Sequence, residues 1–270
     1  MTIYKNDNLE HLKEAIDSIL NQTRRPDEFL IVKDGPLLKD TENMLSNISD
    51  PIIKYLTIEK NIGQSMALNY GIKECKYELV ARMDSDDICD LTRLEKQFEI
   101  FSNNPQIDVV GTGIIEFSTS IEDASKIRIL PSTSDEIHNF SKFRCPVNHA
   151  TVMYKRSKVI EAGNYTDIYS VADYLLWVRM MKIGCNFINI PETLLFVRGG
   201  SDMYKRRSGF YYAKQEIKLQ NIFYKMGHIN LFEYIRNTII RIGSSLSPNF
   251  FRGFFYSNFL RTSKKLDAKK

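Results

Sequence analysis

Apolar residues at positions 9, 12, 16, 19 and 20 follow the three-to-four spacing of one buried helix face, and Asn21 and Pro26 end that pattern. Phe29-Leu30-Ile31-Val32 is a continuous apolar run, as in a strand covered on both faces, and it stops at the loop Asp34-Gly35-Pro36. The same alternation then repeats. Thr41–Ile48 reads as a helix, Ile52–Ile58 as a strand, and Gln64–Lys73 as a helix entered through Asn61-Ile62-Gly63. Tyr77–Met83 reads as a strand running straight into Asp84-Ser85-Asp86-Asp87, Leu91–Asn103 as a helix, and Val109-Val110-Gly111 as the start of another strand. Further on, Tyr174–Lys182 has helical character and Thr193–Val197 strand character. Strands and helices taken in turn predict a doubly wound α/β sheet. Ligands of such sheets bind beyond the carboxyl ends of the strands, an edge that holds both Asp34 and the acidic cluster. The opening strand is short. Only Thr2-Ile3-Tyr4 precede the polar turn at Lys5–Asn8, where a central strand usually takes about five or six residues.

Composition narrows this picture. At 270 residues, 43% apolar and 26% charged, the chain can bury one good core with a satellite. Cys75, Cys89, Cys145 and Cys185 are scattered without metal-ligand spacing, which predicts neither a zinc site nor a disulfide framework and fits a reducing cytosol. Met1–Leu20 lacks the pattern of a signal peptide, and no apolar run is long enough to span a bilayer. There is no GxGxxG and no GxxxxGK[ST], so a dinucleotide fingerprint and a P-loop are both excluded. The formal charge of +4 hides an asymmetry: residues 205–270 carry 14 Lys/Arg against three Asp/Glu, a net of +11, and the rest is acidic. A basic tail of this kind wants an anionic partner, whether membrane, nucleic acid or phosphate.

Asp84, Asp86 and Asp87 place three carboxylates within four residues at a strand end. Crowded carboxylates repel unless a cation neutralises them, and hard oxygen ligands suit Mg²⁺ or Mn²⁺. The competing reading is a helix N-terminal cap, a role that Asp90 or Thr92 can also fill.

The stretch Val80-Ala-Arg-Met-Asp-Ser-Asp-Asp-Ile88 resembles the DxD segment of family 2 glycosyltransferases of the GT-A fold. Five further landmarks occur in the expected order. Glu14–Thr23 is similar to that family's first helix, Leu30-Ile-Val-Lys-Asp-Gly-Pro36 to its second strand, and Asn61–Gly71 to its loop and helix. Cys145–Met153 and Ala172–Arg179 resemble its acceptor-side segments. The resemblance covers about residues 1 to 200. It implies a Rossmann-like, mostly parallel sheet flanked by helices, followed by a helical basic tail. It also implies a catalytic domain over 1–204, with a nucleotide-binding half to about 110 and an acceptor half from 111, and an extension over 205–270.

Residue roles carry over one at a time. Asp34 would accept from the uracil N3–H of a UDP-sugar, although as an Asx residue before Gly35 it has a structural reading too. Relatives often have two acids here; the first position is Lys33. Asn61 would shape the loop near the nucleotide, Asp84 would bind the nucleotide, and Asp86 with Asp87 would hold Mn²⁺ or Mg²⁺. Asp173 is the implied general base, with a helix N-cap as its structural alternative; its usual acidic neighbour is Ala172 here. His149 would touch acceptor or diphosphate, or be a buried structural histidine. Trp177 is a core residue or a sugar-stacking one. Relatives place a metal-binding His near 198–207; none is present, and Asp202 is the substitute at hand. Lys205, Arg206 and Arg207 suit the diphosphate, or simply begin the basic tail.

The tail mixes apolar, aromatic and basic residues over Leu231–Ile242 and Asn249–Arg261, as an interfacial helix does. The leading expectation is therefore an inverting glycosyltransferase moving a sugar, with galactose or N-acetylhexosamine in view, from a UDP-sugar to a glycan or lipid-linked acceptor. Its place would be cytoplasmic, peripheral on the inner face of the membrane. The alternatives are a nucleotidyl or phosphoryl transferase with a similar metal site, or a nucleic-acid binder using the tail; the tail's apolar content argues against nucleic acid.

Overall fold

The structure is a computed structural model and describes residues 1–168, 171–199 and 209–246. The first half opens with β1 (Thr2–Ile3), α1 (Leu9–Leu20), β2 (Phe29–Asp34), α2 (Lys39–Ser46), β3 (Ile53–Ile58) and α3 (Gln64–Glu74). Then come β4 (Leu79–Ala81), β5 (Ile88–Cys89), α4 (Arg93–Asn103) and the long β6 (Ile107–Phe117). The second half contains β7 (Lys126–Arg128), α5 (Ser134–Phe140), β8 (Met153–Lys155), α6 (Arg156–Glu161), α7 (Ala172–Lys182) and β9 (Asn186–Arg198). Two helices close the described chain, α8 (Gly209–Lys225) and α9 (Leu231–Leu246).

The alternation delivers an α/β fold with a mixed sheet. β1, β2 and β3 pair in parallel, and α1 seals one face through Leu12, Ala15, Ile16 and Ile19. The other strands form a second sheet in the order β4-β8-β6-β9-β5, with β7 alongside β6. Here only β6 and β9 are parallel; β4–β8, β5–β9, β6–β7 and β6–β8 are antiparallel. Parallel pairing needs a long crossover, which α1 and the segment after β2 supply, whereas the short connection from β6 to β7 can only reverse. A cleft of about 370 Å³ lined by Met1, Leu30, Val32, Leu79, Ala81 and Met153 lies between the two sheets.

β1 is as short as the sequence suggested, pairing Thr2 with Val32 and Ile3 with Lys33. The strand expected at 77–83 is trimmed to three residues. The helix expected from Leu91 starts at Arg93, because Asp90 Oδ1 accepts from the Thr92 backbone N–H at 2.9 Å and hydroxyl at 2.7 Å, which fixes a turn first. α7 is buried on nearly every face, against β6, β8 and β9 on one side and Leu219 and Phe223 of α8 on the other. The helices α8 and α9 thus share a core with the second half. Residues 247–270, Lys205, Arg206, Arg207 and Asp202 lie outside the described residues.

Candidate functional site

Arg82 directly follows β4 and sets the site. The residue is 5% exposed, and its two terminal nitrogens grip both carboxylate oxygens of Asp84. A bidentate guanidinium–carboxylate pair fixes orientation as well as charge. Gln64, the first residue of α3, also donates to Asp84 Oδ1 at 3.1 Å. Asp87 points inward and is 3% exposed; it accepts from the Arg198 backbone N–H at 3.1 Å. Asp86 stays exposed, and its carbonyl accepts from Arg198 Nε at 3.2 Å. Arg198 also reaches Glu14 of α1 at 2.5 Å, so the end of β9 ties the acidic turn to the first helix.

Ligand oxygens of Asp84, Asp86 and Asp87 all lie within 4.8 Å of one another. Burial, and then the charges of Asp84 and Asp86, push the Asp87 carboxyl well above its usual range. A fourth carboxylate faces the cluster. Asp7, in the turn after β1, is pushed up to about 6 by burial and by Asp86 and Asp84, against the opposing bonds from the Tyr4 N–H and the Ser85 side chain. An all-oxygen set with a buried, crowded carboxylate is chemistry that a hard divalent cation relieves, so the residues fit such an ion. The capping reading fails for this cluster, since α4 starts six residues beyond Asp87 behind its own Asp90 turn.

Asp34 is 4% exposed, and its carboxylate organises the neighbouring loop. Oδ1 accepts from Ile62 N–H at 2.7 Å; Oδ2 accepts from Gly63 N–H at 3.0 Å and Asn61 Nδ2 at 3.0 Å. Three of the roughly four acceptor positions of a carboxylate are filled, leaving one for a ligand N–H. Gly35 has φ +88°, and a Cβ there would sit 2.7 Å from the Asn61 nitrogen. The expected Asx turn is therefore a clamp between two loops, and Asn61 is half of it.

In the second half, Asp173 lies in the first turn of α7, with Oδ2 3.7 Å from Cys145 Sγ. It is not the N-cap; that position belongs to Val171. Tyr165 joins the two sides. Its N–H and carbonyl bond to the Asn69 side chain of α3 at 2.9 and 2.8 Å, and its hydroxyl lies 2.9 Å from His149 Nε2. Burial pushes the Tyr165 phenol well above its usual range, with the charges of both Arg82 and Asp173 acting on it.

For Trp177 and His149 the structure favours the structural one of the two readings. Trp177 is 0% exposed, enclosed by His149, Tyr154 and Phe187, and has no free face for a sugar. Burial, and then Arg82, hold the His149 imidazole well below its ordinary range. Its bond to Tyr165 makes it structural. Sequence reasoning missed Asp7, Gln64, Arg82 and Arg198. Arg82 had a local signal, a cation inside an apolar strand two residues before an acid. The others are joined only through the fold.

The acidic turn at the end of β4 thus stands beside the loop clamped by Asp34. The model for glycosyl transferase family 2 matches residues 1–162, and the chain belongs to that family and is a glycosyltransferase. It is 36% identical over 97% of its length, and 95% of the relative's, to the UDP-Gal:alpha-D-GlcNAc-diphosphoundecaprenol beta-1,3-galactosyltransferase of Escherichia coli. It is 33% identical to the amylovoran biosynthesis glycosyltransferase AmsE of Erwinia amylovora, covering 95% of this chain and 96% of that one. The fold is GT-A. It matches S. aureus TarS 1-349 in complex with UDP-GlcNAc at a TM-score of 0.66, with 13% identity over 95% of this chain and 75% of that one. The mannosyltransferase PcManGT of Pyrobaculum calidifontis, in complex with GDP-Man and Mn2+, matches at 0.59, with 14% identity over 90% and 68%.

Proposed function

We propose that the chain transfers a sugar, galactose being the first to test, from a UDP-sugar to a lipid-linked glycan during cell-surface polysaccharide synthesis. The convergence of Asp84, Asp86 and Asp87 within 4.8 Å carries this reading. The names of the E. coli and Erwinia relatives support the donor and pathway class. Asp86 and Asp87 would hold Mn²⁺ or Mg²⁺, which supplies positive charge to the departing diphosphate. Asp84, fixed by Arg82, would meet the nucleotide, and Asp34 would offer its remaining acceptor position to uracil while Asn61 holds the loop. Arg206 and Arg207 would add charge at the diphosphate. Asp173 would take the proton from the acceptor hydroxyl as that oxygen bonds to the anomeric carbon and the bond to UDP breaks. One base opposite the leaving group gives single displacement with inversion. Residues 1–204 would do the chemistry, and the basic extension 205–270 would hold the enzyme peripherally on the anionic inner face of the membrane.

The test is UDP release over a panel of UDP-sugars, with Mn²⁺ or chelator, for wild type, Asp86→Ala and Asp173→Asn. Metal-dependent release lost in Asp86→Ala is expected. Asp173→Asn should slow transfer by about 10²- to 10⁴-fold with donor KM little changed. Metal-independent release indifferent to Asp86→Ala would remove the reading, and full transfer by Asp173→Asn would favour a nucleotidyl or phosphoryl transferase.

A further inference from the structure

Helix α9 has two faces with different occupations. Its inner face holds the loop before Cys145. Three successive carbonyls of that loop are captured: Ser141 by the Tyr174 hydroxyl at 2.6 Å, Lys142 by Asn237 Nδ2 at 2.7 Å, and Phe143 by Arg241 Nη2 at 2.7 Å. Asn237 and Arg241 are one helical turn apart and both belong to α9. Arg241 is further anchored by an ion pair to Glu216 of α8. Two residues beyond the captured loop stands Cys145, whose sulfur touches Asp173.

The outer face is apolar and, among the described residues, exposed. Phe232, Ile235 and Ile239 recur at helical spacing on the side away from Asn237 and Arg241, and they are 71%, 49% and 66% exposed. Leu231 beside them is 55% exposed. Arg236 lies over the ring of Phe143 at 4.2 Å and approaches that of Phe232 at 5.9 Å, so a cation sits along the edge of the stripe. Among the described residues no helix is long and apolar enough to cross a membrane. Residues 209–246 contain five Lys/Arg against Glu216 and Glu233, a net of +3. A second copy would bring like charge against like, whereas an anionic bilayer offers both an apolar depth and opposite charge.

We infer that the outer face of α9 docks on an anionic lipid surface, and that its inner face carries this docking to the acceptor loop beside Asp173. This rests on the lipid-linked acceptor reading for its purpose, though not for its test. The polar inner face and the apolar outer face make α9 a bracket between bilayer and base.

The experiment compares wild type with the double variant Phe232→Glu, Ile239→Glu. Both positions face solvent, and matching thermal melts check the fold. Sedimentation with mixed phosphatidylglycerol–phosphatidylcholine vesicles should fall by about tenfold or more in the variant, because two apolar contacts become charged and like-signed with the lipid. Wild type should bind pure phosphatidylcholine vesicles far more weakly than the mixed ones. UDP release without a lipid acceptor should be unchanged. Equal sedimentation of variant and wild type would overturn the inference, and so would equal binding of wild type to both vesicles. A wild-type dimer that the variant dissociates would also overturn it in favour of a second copy. Vesicle binding in the absence of any UDP release would sink the proposed function and leave the docking face standing.

Discussion

Replacing Asp87 with Asn should stabilise the metal-free protein and abolish its response to metal. Asp87 is 3% exposed, and its oxygens lie within 4.8 Å of those of Asp84 and Asp86. Two unit charges at such a separation repel by about 3 kcal/mol at an effective dielectric near 20, and by about 1 kcal/mol in water. Arg82 neutralises much of the Asp84 share, so removing the Asp87 charge should return roughly 1–3 kcal/mol. Asn retains the oxygen that accepts from the Arg198 N–H. In chelator at neutral pH the variant should melt roughly 2–8 °C above wild type. The sign follows from the raised carboxyl. A folded state that binds the proton more tightly than the unfolded one loses stability as pH climbs from the ordinary value of 3.8 toward the raised one. The advantage of the variant is therefore absent in acid and develops across that window. With saturating Mn²⁺ the order reverses: wild type gains about 2.7 kcal/mol at a hundredfold excess over Kd, and the variant loses most of that gain. Circular-dichroism melts in chelator and across a Mn²⁺ titration read both effects, with UDP release measured alongside. A variant that melts below wild type in chelator, or one that Mn²⁺ stabilises equally, would refute the reasoning.

Two further substitutions probe the frame. Gly35→Ala places a Cβ 2.7 Å from the Asn61 nitrogen at φ +88°, so it should cost about 1–3 kcal/mol and raise donor KM more than it lowers kcat; an unchanged urea midpoint would show that the two loops separate freely. His228, 2.9 Å from the Ser141 hydroxyl, is lowered to about 4 by burial first and by nearby cations, so wild type should be fully stable above the normal histidine range and lose about 2 kcal/mol as pH falls from 6.5 toward 4. His228→Gln should flatten that slope in melts taken across the same window, and an identical slope would assign the acid sensitivity elsewhere.

What the sequence disclosed follows the range of the interactions involved. α1 spans Leu9–Leu20 as its apolar spacing predicts, because a helix face is written within one segment. β2 is legible for the same reason, as a buried run closed by a loop residue. The antiparallel half is not, since Ile88 pairs with Phe196 and Val80 with Tyr154, partners that no local pattern announces. The acidic cluster was visible as a run of like charge, whereas the groups that shape it arrive from far along the chain. Arg198 is 111 residues from Asp87, and Asp7 is drawn in from the first turn. Trp177 could have been read more firmly: every residue from Tyr174 to Val178 is apolar, so the helix has no wet face there to offer a ligand.

The two halves hold their geometry through a few polar bonds between them. Asn69 makes paired bonds to the backbone of Tyr165, which replaces a rung of strand pairing with a side chain and leaves Tyr165 free to project its hydroxyl. The same helix α3 begins at the loop clamped by Asp34, and its first side chain reaches Asp84. A displacement of that helix would therefore move the loop, the Asp84 carboxylate and the Tyr165–His149 pair together. Arg198 acts likewise from β9, binding the Asp86 carbonyl and Glu14 through one side chain while its backbone holds Asp87. Such cross-links cost little when satisfied and much when one partner is lost, because the remaining group is left buried and unpaired. The acidic turn can thus keep three carboxylates pointed at one place, with their mutual repulsion offset by Arg82 and by the Arg198 backbone N–H.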